Sequence, residues 1–185
     1  MQTITENQLD TVTHFYEKLG INGLSNLLDK ESDNHYVNYV QSNIVSGNIL
    51  DAGCGYGRIA VPLYESGYSI EGVDIMPSFI KHVNAKTSSN KFIVCDLRKI
   101  PYENQSFDNI ICMWSTFSHF LEQTDQIKVL QELYRVLKTN GKVIIDLPTP
   151  EIYSFPKLTA VKTEQTINRL CQYTVKGNEN TDYVH

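Results

Sequence analysis

Three glycines occur at alternate positions in the segment ILDAGCGYGR, residues 49–58. Glycine lets the backbone adopt positive φ and approach a bound molecule closely, and the amides that start the following helix can donate to polar or anionic groups. The loop Gly53–Gly57, here called the glycine loop, is therefore suited to hold a nucleotide-like cofactor. A dinucleotide fingerprint of the form G-x-G-x-x-G would need glycine at position 58, where the chain has Arg58.

Acidic residues end three successive apolar runs of the sequence, at Asp51, Asp74 and Asp96. Ligands of doubly wound sheets bind beyond the carboxyl ends of the strands, so these side chains are expected at one edge. Asp74 stands where an acid accepts hydrogen bonds from a ribose. Asp96 could accept one from an adenine amino group, with Ile75 and Leu97 as apolar walls. A single aspartate at a strand end is also a common cap or turn residue, and that alternative stays open for each one taken alone.

The elements that must position these residues follow from hydrophobic periodicity. From residue 48 onward, short apolar runs alternate with amphipathic stretches, which predicts an α/β fold with a doubly wound parallel sheet and helices on both faces. The predicted strands are 48–52, 69–74, 91–95, 107–113 and 141–147, and the predicted helices are 57–66, 77–86 and 122–137. Two earlier helices, one over 5–19 and one that closes at Gly47, are predicted to form a lid.

Whole-chain properties limit the classes of function. A length of 185 residues with 41% hydrophobic residues predicts one globular domain. The net charge is -5 and the sequence has no run of Lys or Arg, so it does not predict a basic surface that would bind the phosphates of a nucleic acid. The sequence has no signal-type or membrane-spanning stretch, and its four cysteines lack zinc-ligand spacing. We expect a cytoplasmic protein without a metal site, a nucleic-acid partner or a membrane anchor.

Four segments resemble, in order and spacing, the motifs of class I S-adenosylmethionine-dependent methyltransferases: ILDAGCGYGR, GVDIMPSFI, FIVCDLRKIPYENQSFDNIICMWST and ELYRVLKTNGKVIIDLP. The resemblance spans residues 46–150. It implies a Rossmann-like, mostly parallel sheet of order 3-2-1-4-5, with the cofactor S-adenosylmethionine and the product S-adenosylhomocysteine. The residues and the resemblance together assign cofactor binding to Asp51, Gly53, Cys54, Gly55, Asp74, Ile75, Asp96, Leu97, Met113, Trp114 and Ser115.

The resemblance also implies where parts of the cofactor lie. The glycine loop would face the methionine moiety, with Asp51 near its amino group. Residues 113–115, after the fourth strand, would line the cofactor beside the methyl acceptor. Two interpretations of Arg58 remain open: a structural residue of the following helix, or a group near the cofactor's carboxylate.

Two residues are candidates for chemistry at the acceptor. His119 lies in WSTFSHF, residues 114–120, across the crevice from the glycine loop. It resembles a histidine of small-molecule N-methyltransferases, including those that act on amino sugars, and would act as a base. Tyr16 resembles a tyrosine of the same enzymes that reaches over the cofactor. A packed or capping histidine and a core tyrosine are the alternatives.

The sequence lacks the marks of nucleobase methylation. Residues 114–117 read WSTF where enzymes acting on base amino groups have [DNS]-P-P-[YFW], and a prolyl-cysteine nucleophile is missing. With the acidic charge balance, this predicts methyl transfer to an amine or hydroxyl of a small molecule. Two rivals remain: a truncated, non-catalytic cofactor-binding protein, and an NAD-dependent oxidoreductase, which Arg58 and Asp96 disfavour.

The C-terminal part of the sequence departs from the alternating pattern. We predict a methyltransferase domain over 1–150, with a helical cap over 1–46, and then the start of a small antiparallel substrate or oligomerisation insertion over 151–185. INRLCQYTV and TDYVH are its predicted strands. The strands that close the family's sheet would then be missing, which leaves the fifth strand as an exposed edge. We therefore expect a homo-oligomer.

Overall fold

The computed structural model describes residues 4–27, 30–147, 161–166 and 174–175. The helices are α1 (Ile4–Leu27), α2 (Lys30–Asn43), α3 (Ala60–Glu65), α4 (Pro77–Thr87) and α5 (Gln123–Val136), with a short 3-10 helix at Thr116–His119. The strands are β1 (Ile49–Ala52), β2 (Ile70–Asp74), β3 (Phe92–Val94), β4 (Phe107–Cys112), β5 (Leu137–Leu147), β6 (Val161–Thr166) and β7 (Thr174–Val175). Within the described ranges, no helix combines the length and the apolar character needed to cross a bilayer.

These strands form one sheet in the order β3-β2-β1-β4-β5-β6-β7. Strands β1 to β5 run parallel, and Ile49 of β1 pairs with Ile70 on one side and Asn109 on the other. The chain winds from β1 toward β3 and then returns to the other side of β1 as β4. The predicted order 3-2-1-4-5 is confirmed, and a crevice is expected where the winding reverses, beyond the ends of β1 and β4.

Two hydrophobic cores cover the two faces of the sheet, because successive side chains of a strand point to opposite faces. Leu50 packs with Val129 and Leu133 of α5, whereas Ile49 packs with Val40 of α2 and Leu63 of α3. The apolar runs of the sequence therefore read as strands that are buried on both sides. This arrangement holds the strand ends rigidly at one edge.

The N-terminal helices and α3 differ from their predicted bounds for local reasons. Helix α1 is longer than predicted and contains a kink at Gly20, which has φ 60° and ψ 176°. Helix α3 starts later than predicted, because the glycine loop keeps positive φ as far as Gly57 at φ 91°. The chain therefore passes around the crevice in a series of turns before the helix begins.

The expectation that β5 is an exposed edge is wrong. Strand β6 pairs antiparallel with β5, with Ile144 opposite Glu164, and β7 pairs antiparallel with β6. The structural reason for expecting self-association is thereby removed, and self-association itself stays a prediction. Strand β7 falls within the predicted strand INRLCQYTV, whereas TDYVH lies outside the described residues. The domain bounds at 150 and 151 also stay predictions.

Candidate active site

A cavity of about 320 Å³ lies at the carboxyl ends of β1 to β4, and α1 covers part of it. Both candidate catalytic residues, Tyr16 and His119, line this cavity. Ten of the predicted cofactor-binding residues line it as well: Asp51, Gly53, Cys54, Gly55, Asp74, Ile75, Asp96, Leu97, Met113 and Trp114. The structure therefore brings together residues that are up to about a hundred positions apart in the sequence. Ser115 is not among the lining residues.

The glycine loop has a backbone that only glycine accommodates easily. Gly53 has φ 85°, and a Cβ atom placed on it would lie 2.2 Å from Cγ2 of Thr116. Gly55 has φ 54°, lines the cavity, and would present a Cβ to open space. The bare backbone at Gly55 can therefore be approached closely by a ligand.

Two carboxyl groups lie beside this loop. Asp74 accepts hydrogen bonds from the amides of Gly55 (2.8 Å, to Oδ2) and Met76 (2.9 Å, to Oδ1), while burial raises its pKa. Asp51 is only 3% exposed, and burial together with the nearby charge of Asp74 raises its pKa to about 8. Because the charge of Asp74 acts on Asp51, a positively charged group bound beside this pair of acids would stabilise their ionised forms.

Asp96 is bound by an arginine that the sequence analysis did not single out. Arg98 donates from Nη2 to Asp96 Oδ2 (2.6 Å) and from its backbone amide to Oδ1 (2.9 Å). Its Nη1 donates to Oδ2 of Asp125 (2.6 Å), at the start of α5. A carboxylate offers about four lone-pair positions, so Arg98 leaves fewer of them for an adenine amino group. No local pattern joins Arg98 to Asp125, because α5 begins far along the chain.

Tyr16 and His119 form a hydrogen-bonded pair. The Tyr16 hydroxyl oxygen lies 2.9 Å from Nε2 of His119, and the two rings meet edge to face with centroids 5.7 Å apart. Burial lowers the pKa of His119, which keeps the imidazole neutral near pH 7. Burial and the charge of Asp74 raise the pKa of Tyr16, which keeps the phenol protonated.

The loop after β4 is held by a buried acid that sequence reasoning missed. Trp114 and Ser115 both adopt left-handed backbone conformations, with φ 58° and 59°. Asp146, at the end of β5, accepts hydrogen bonds from both of their amides and from the Tyr36 hydroxyl, and the Ser115 amide to Asp146 Oδ1 distance is 2.7 Å. The Ser115 amide is therefore engaged by Asp146, and Ser115 does not line the cavity. The signal was present in the sequence, since Asp146 ends an apolar run just as Asp51, Asp74 and Asp96 do.

Arg58 has a structural role in this arrangement. Its side chain is 8% exposed and forms an ion pair with Asp33 of α2. The guanidinium carbon lies 3.5 Å from the centroid of the Trp114 ring, and the Tyr36 ring packs against the same indole at 4.7 Å. These contacts support a structural role for Arg58, but not as a residue of the following helix: Arg58 precedes α3 and ties α2 to the loop after β4.

Comparisons with known proteins agree with this geometry. The family described as "Methyltransferase domain" matches residues 50–145, which is more than half of the chain. The protein YqeM of Bacillus subtilis (strain 168) is 26% identical over 144 residues, covering 75% of this chain and 58% of YqeM. The glycine/sarcosine N-methyltransferase of Aphanothece halophytica is 30% identical over 103 residues, covering 53% of this chain and 39% of that enzyme.

Solved structures give the same fold. A TehB-like S-adenosylmethionine-dependent methyltransferase from Corynebacterium glutamicum ATCC 13032 superposes with a TM-score of 0.60 at 23% identity, covering 76% of this chain and 75% of that one. The chain spans less than two thirds of the length of the curated relatives described above. It belongs to the methyltransferase domain family, with the Rossmann-like fold of class I S-adenosylmethionine-dependent methyltransferases.

Proposed function

We propose that this chain binds S-adenosylmethionine in the cavity and transfers its methyl group to an amine or hydroxyl of a small molecule. The observation that carries the proposal is the arrangement of one cavity: the glycine loop and the acids Asp74 and Asp96 line one side, and the Tyr16–His119 pair lies in the same space. The cofactor supplies an electrophilic methyl group on a sulfonium ion.

The chain's own residues fit such a cofactor. The open backbone at Gly55 can receive an amino-acid tail, and Asp51 would ionise beside its amino group, since a nearby cation stabilises a buried carboxylate. Asp74 would accept hydrogen bonds from the ribose hydroxyls. Ile75 and Leu97 line the cavity and would supply apolar walls for the adenine ring.

Methyl transfer to an amine or hydroxyl releases a proton, and the Tyr16–His119 pair can take it. Because His119 is neutral and its Nε2 can accept, the acceptor's proton would pass to the Tyr16 oxygen as the tyrosine proton passes to Nε2. The phenol is never required to leave as a free phenolate, which agrees with its raised pKa. The protein must also align the acceptor atom with the methyl group of the cofactor, in a pocket that excludes water.

A fluorescence titration tests cofactor binding. Trp114 is the only tryptophan of the chain and lines the cavity, so its emission reports on the site directly. S-adenosylhomocysteine should change this emission saturably, whereas NADH should not compete. In Asp74→Asn, the new side-chain NH2 group would face the backbone N–H of Gly55 or Met76, and two donors cannot form a hydrogen bond with each other. The substitution should weaken binding by roughly 10- to 100-fold, since hydrogen bonds to charged groups contribute about 1.5–3 kcal/mol.

The matched control is Glu65→Gln, which neutralises an exposed acid at the end of α3 outside the cavity lining. Its dissociation constant should stay within about twofold of the parent chain. Equal losses in the two variants, or competition by NADH, would contradict the proposal.

A further inference from the structure

The lining of the cavity limits the chemistry of the methyl acceptor. We propose that the acceptor is an amine or hydroxyl compound with an apolar body the size of an aromatic ring and with no carboxylate. This inference rests on the proposed function and names the substrate class of the same site.

Apolar side chains dominate the cavity outside the predicted cofactor residues. They come from α1, from α4 and from the segment after the 3-10 helix: Val12, Phe15, Leu19, Leu24, Phe79 and Phe120. Phe15 is 57% exposed although it lines the cavity, so a large apolar surface is available to a ligand at this point. An acceptor that covers this ring removes apolar surface from water, which favours binding.

The charges of the lining argue against an acidic acceptor. Among the described lining residues the cationic side chains are Arg58 and Arg98, and both already form ion pairs with aspartates. The remaining acids, Asp51 and Asp74, lie beside the glycine loop and would repel a second anion. The carboxylate of the cofactor would lie along the glycine loop. A second carboxylate, on the acceptor, would therefore lose its hydration without gaining an unpaired cation among the described lining residues, which is costly.

The Tyr16–His119 pair lies among aromatic rings. The Tyr16 ring meets Phe15 edge to face at 5.3 Å between centroids and Phe79 at 6.1 Å. An aromatic acceptor could pack against these rings while it presents its nitrogen or oxygen to the Tyr16 hydroxyl. The acceptor's lone pair then forms the new bond to the methyl carbon as the S–C bond breaks with its electron pair kept by sulfur, and the acceptor's proton goes to the Tyr16–His119 pair.

A matched set of acceptors tests this inference on the full chain. 2-Phenylethylamine has the ring and the amine, L-phenylalanine adds only a carboxylate, and ethylamine lacks only the ring. Methylated product is measured by mass spectrometry, with S-adenosylmethionine as the donor. We expect kcat/KM for 2-phenylethylamine to exceed the values for both other amines by at least about tenfold.

Phe15→Ala separates this inference from the proposed function. The variant should raise KM for 2-phenylethylamine by about tenfold while the dissociation constant of S-adenosylhomocysteine stays within about twofold. Ile127→Ala is the control, since Ile127 is a half-exposed apolar residue of α5 outside the lining, and its KM should not change.

Each outcome decides a different claim. Faster transfer to L-phenylalanine or to ethylamine, or transfer to none of the set, overturns the acceptor class. Cofactor binding by the parent chain would then leave the proposed cofactor site standing. Failure of S-adenosylhomocysteine to bind overturns both. An unchanged KM in Phe15→Ala would also contradict the role of the apolar lining.

Discussion

At the scale of single residues, the pair Tyr16–His119 carries the proposed chemistry. The two side chains are contributed by α1 and by the 3-10 helix, and they meet at 2.9 Å in the cavity. The burial that lowers the pKa of His119 also prepares it to accept a proton at neutral pH.

Removal of the Tyr16 hydroxyl tests the relay. Tyr16→Phe keeps the ring that packs against Phe79 but deletes the group that passes the proton. We expect kcat to fall by about 10²-fold or more, as for loss of a general acid–base group, while S-adenosylhomocysteine affinity changes little. When Phe15→Tyr is added to Tyr16→Phe, the double variant has a hydroxyl at the neighbouring position. This hydroxyl should not restore kcat. Full activity in Tyr16→Phe would exclude the relay.

The buried acid Asp51 gives cofactor binding a pH dependence. Its ordinary pKa of 3.8 is raised to about 8, so at pH 6 the group is protonated in the free protein. A cationic amino group binds the ionised form better, hence affinity should rise with pH, by up to about tenfold per pH unit between 6 and 8. Trp114 fluorescence titrations of S-adenosylhomocysteine at three pH values measure this slope.

Asp51→Asn isolates the contribution of Asp51 from that of Asp146, whose pKa burial raises to about 6, and from that of His119, whose pKa burial lowers. The variant should bind more weakly at pH 8 and lose most of the slope. A parent chain whose dissociation constant is the same at pH 6 and pH 8 would contradict the assigned role of Asp51.

The sequence predicted which residues lie together at the cavity where a strand end fixed their position, while their roles toward a cofactor stay predictions. Asp51, Asp74 and Asp96 follow apolar runs, so the sheet alone brings them to one cavity. Contacts between distant side chains carried no local signal, and for that reason the ion pair of Arg98 with Asp125 went unpredicted. The resemblance implies a cofactor contact for Ser115, but Ser115 is not among the cavity-lining residues and its amide donates to Asp146.

At the scale of elements, the loop after β4 depends on the end of β5. Two successive non-glycine residues in left-handed conformations are costly, and Asp146 compensates by accepting both amides and the hydroxyl of Tyr36 from α2. One carboxylate thereby connects α2, the sheet and the loop that presents Trp114, whereas the cavity itself is lined by α1 and by no described residue of α2.

Replacement of Asp146 should disturb this loop. Asp146→Ala leaves the Ser115 and Trp114 amides without their acceptor, so unfolding free energy should fall by about 2–4 kcal/mol. Asp146→Asn keeps one acceptor oxygen and should lose about half as much, and Tyr36→Phe about 1 kcal/mol. Denaturant unfolding measures these losses of free energy. The emission of Trp114 in the folded variants should shift most in Asp146→Ala, less in Asp146→Asn and least in Tyr36→Phe. Equal stability of Asp146→Ala and the parent chain would rule out this role.

The glycine loop offers a second test at this scale, with a matched control. Gly53→Ala and Gly67→Ala both place a side chain at positive φ, 85° and 87°, but only the Gly53 Cβ meets a neighbour, Thr116. Gly67→Ala should cost about 1–2 kcal/mol in unfolding free energy from backbone strain. Gly53→Ala should cost about 1–3 kcal/mol more because of the overlap, and should weaken cofactor binding. Equal losses would mean that the loop is not held against Thr116.

Element type was more predictable than element bounds. Periodicity identified the strands β1 to β5 because each is apolar on both faces, and it identified α5 from its apolar stripe. It missed β6, whose described sequence Val161–Thr166 is mainly polar and gains its strand conformation from pairing with β5. Backbone pairing with β5 and β7 does not depend on apolar side chains, so the sequence of β6 resembles a loop.

At the scale of the whole molecule, function follows from where the sheet changes its winding direction. Strands β1 and β4 are neighbours although β2 and β3 lie between them in sequence, and the crevice they create receives the glycine loop and the loop with His119. The lid α1 then closes one side of this crevice with its apolar face. The alternation of strands and helices predicted this architecture, whereas the position of the lid depended on contacts that only the folded chain provides.

The most direct test of the central claim is a crystal structure of the chain with S-adenosylhomocysteine. We predict electron density for one adenosine with its ribose hydroxyls at Asp74, its adenine between Ile75 and Leu97 at Asp96, and its amino-acid tail along the glycine loop. Ligand density elsewhere on the molecule, or an adenosine that contacts neither Asp74 nor Asp96, would contradict the account.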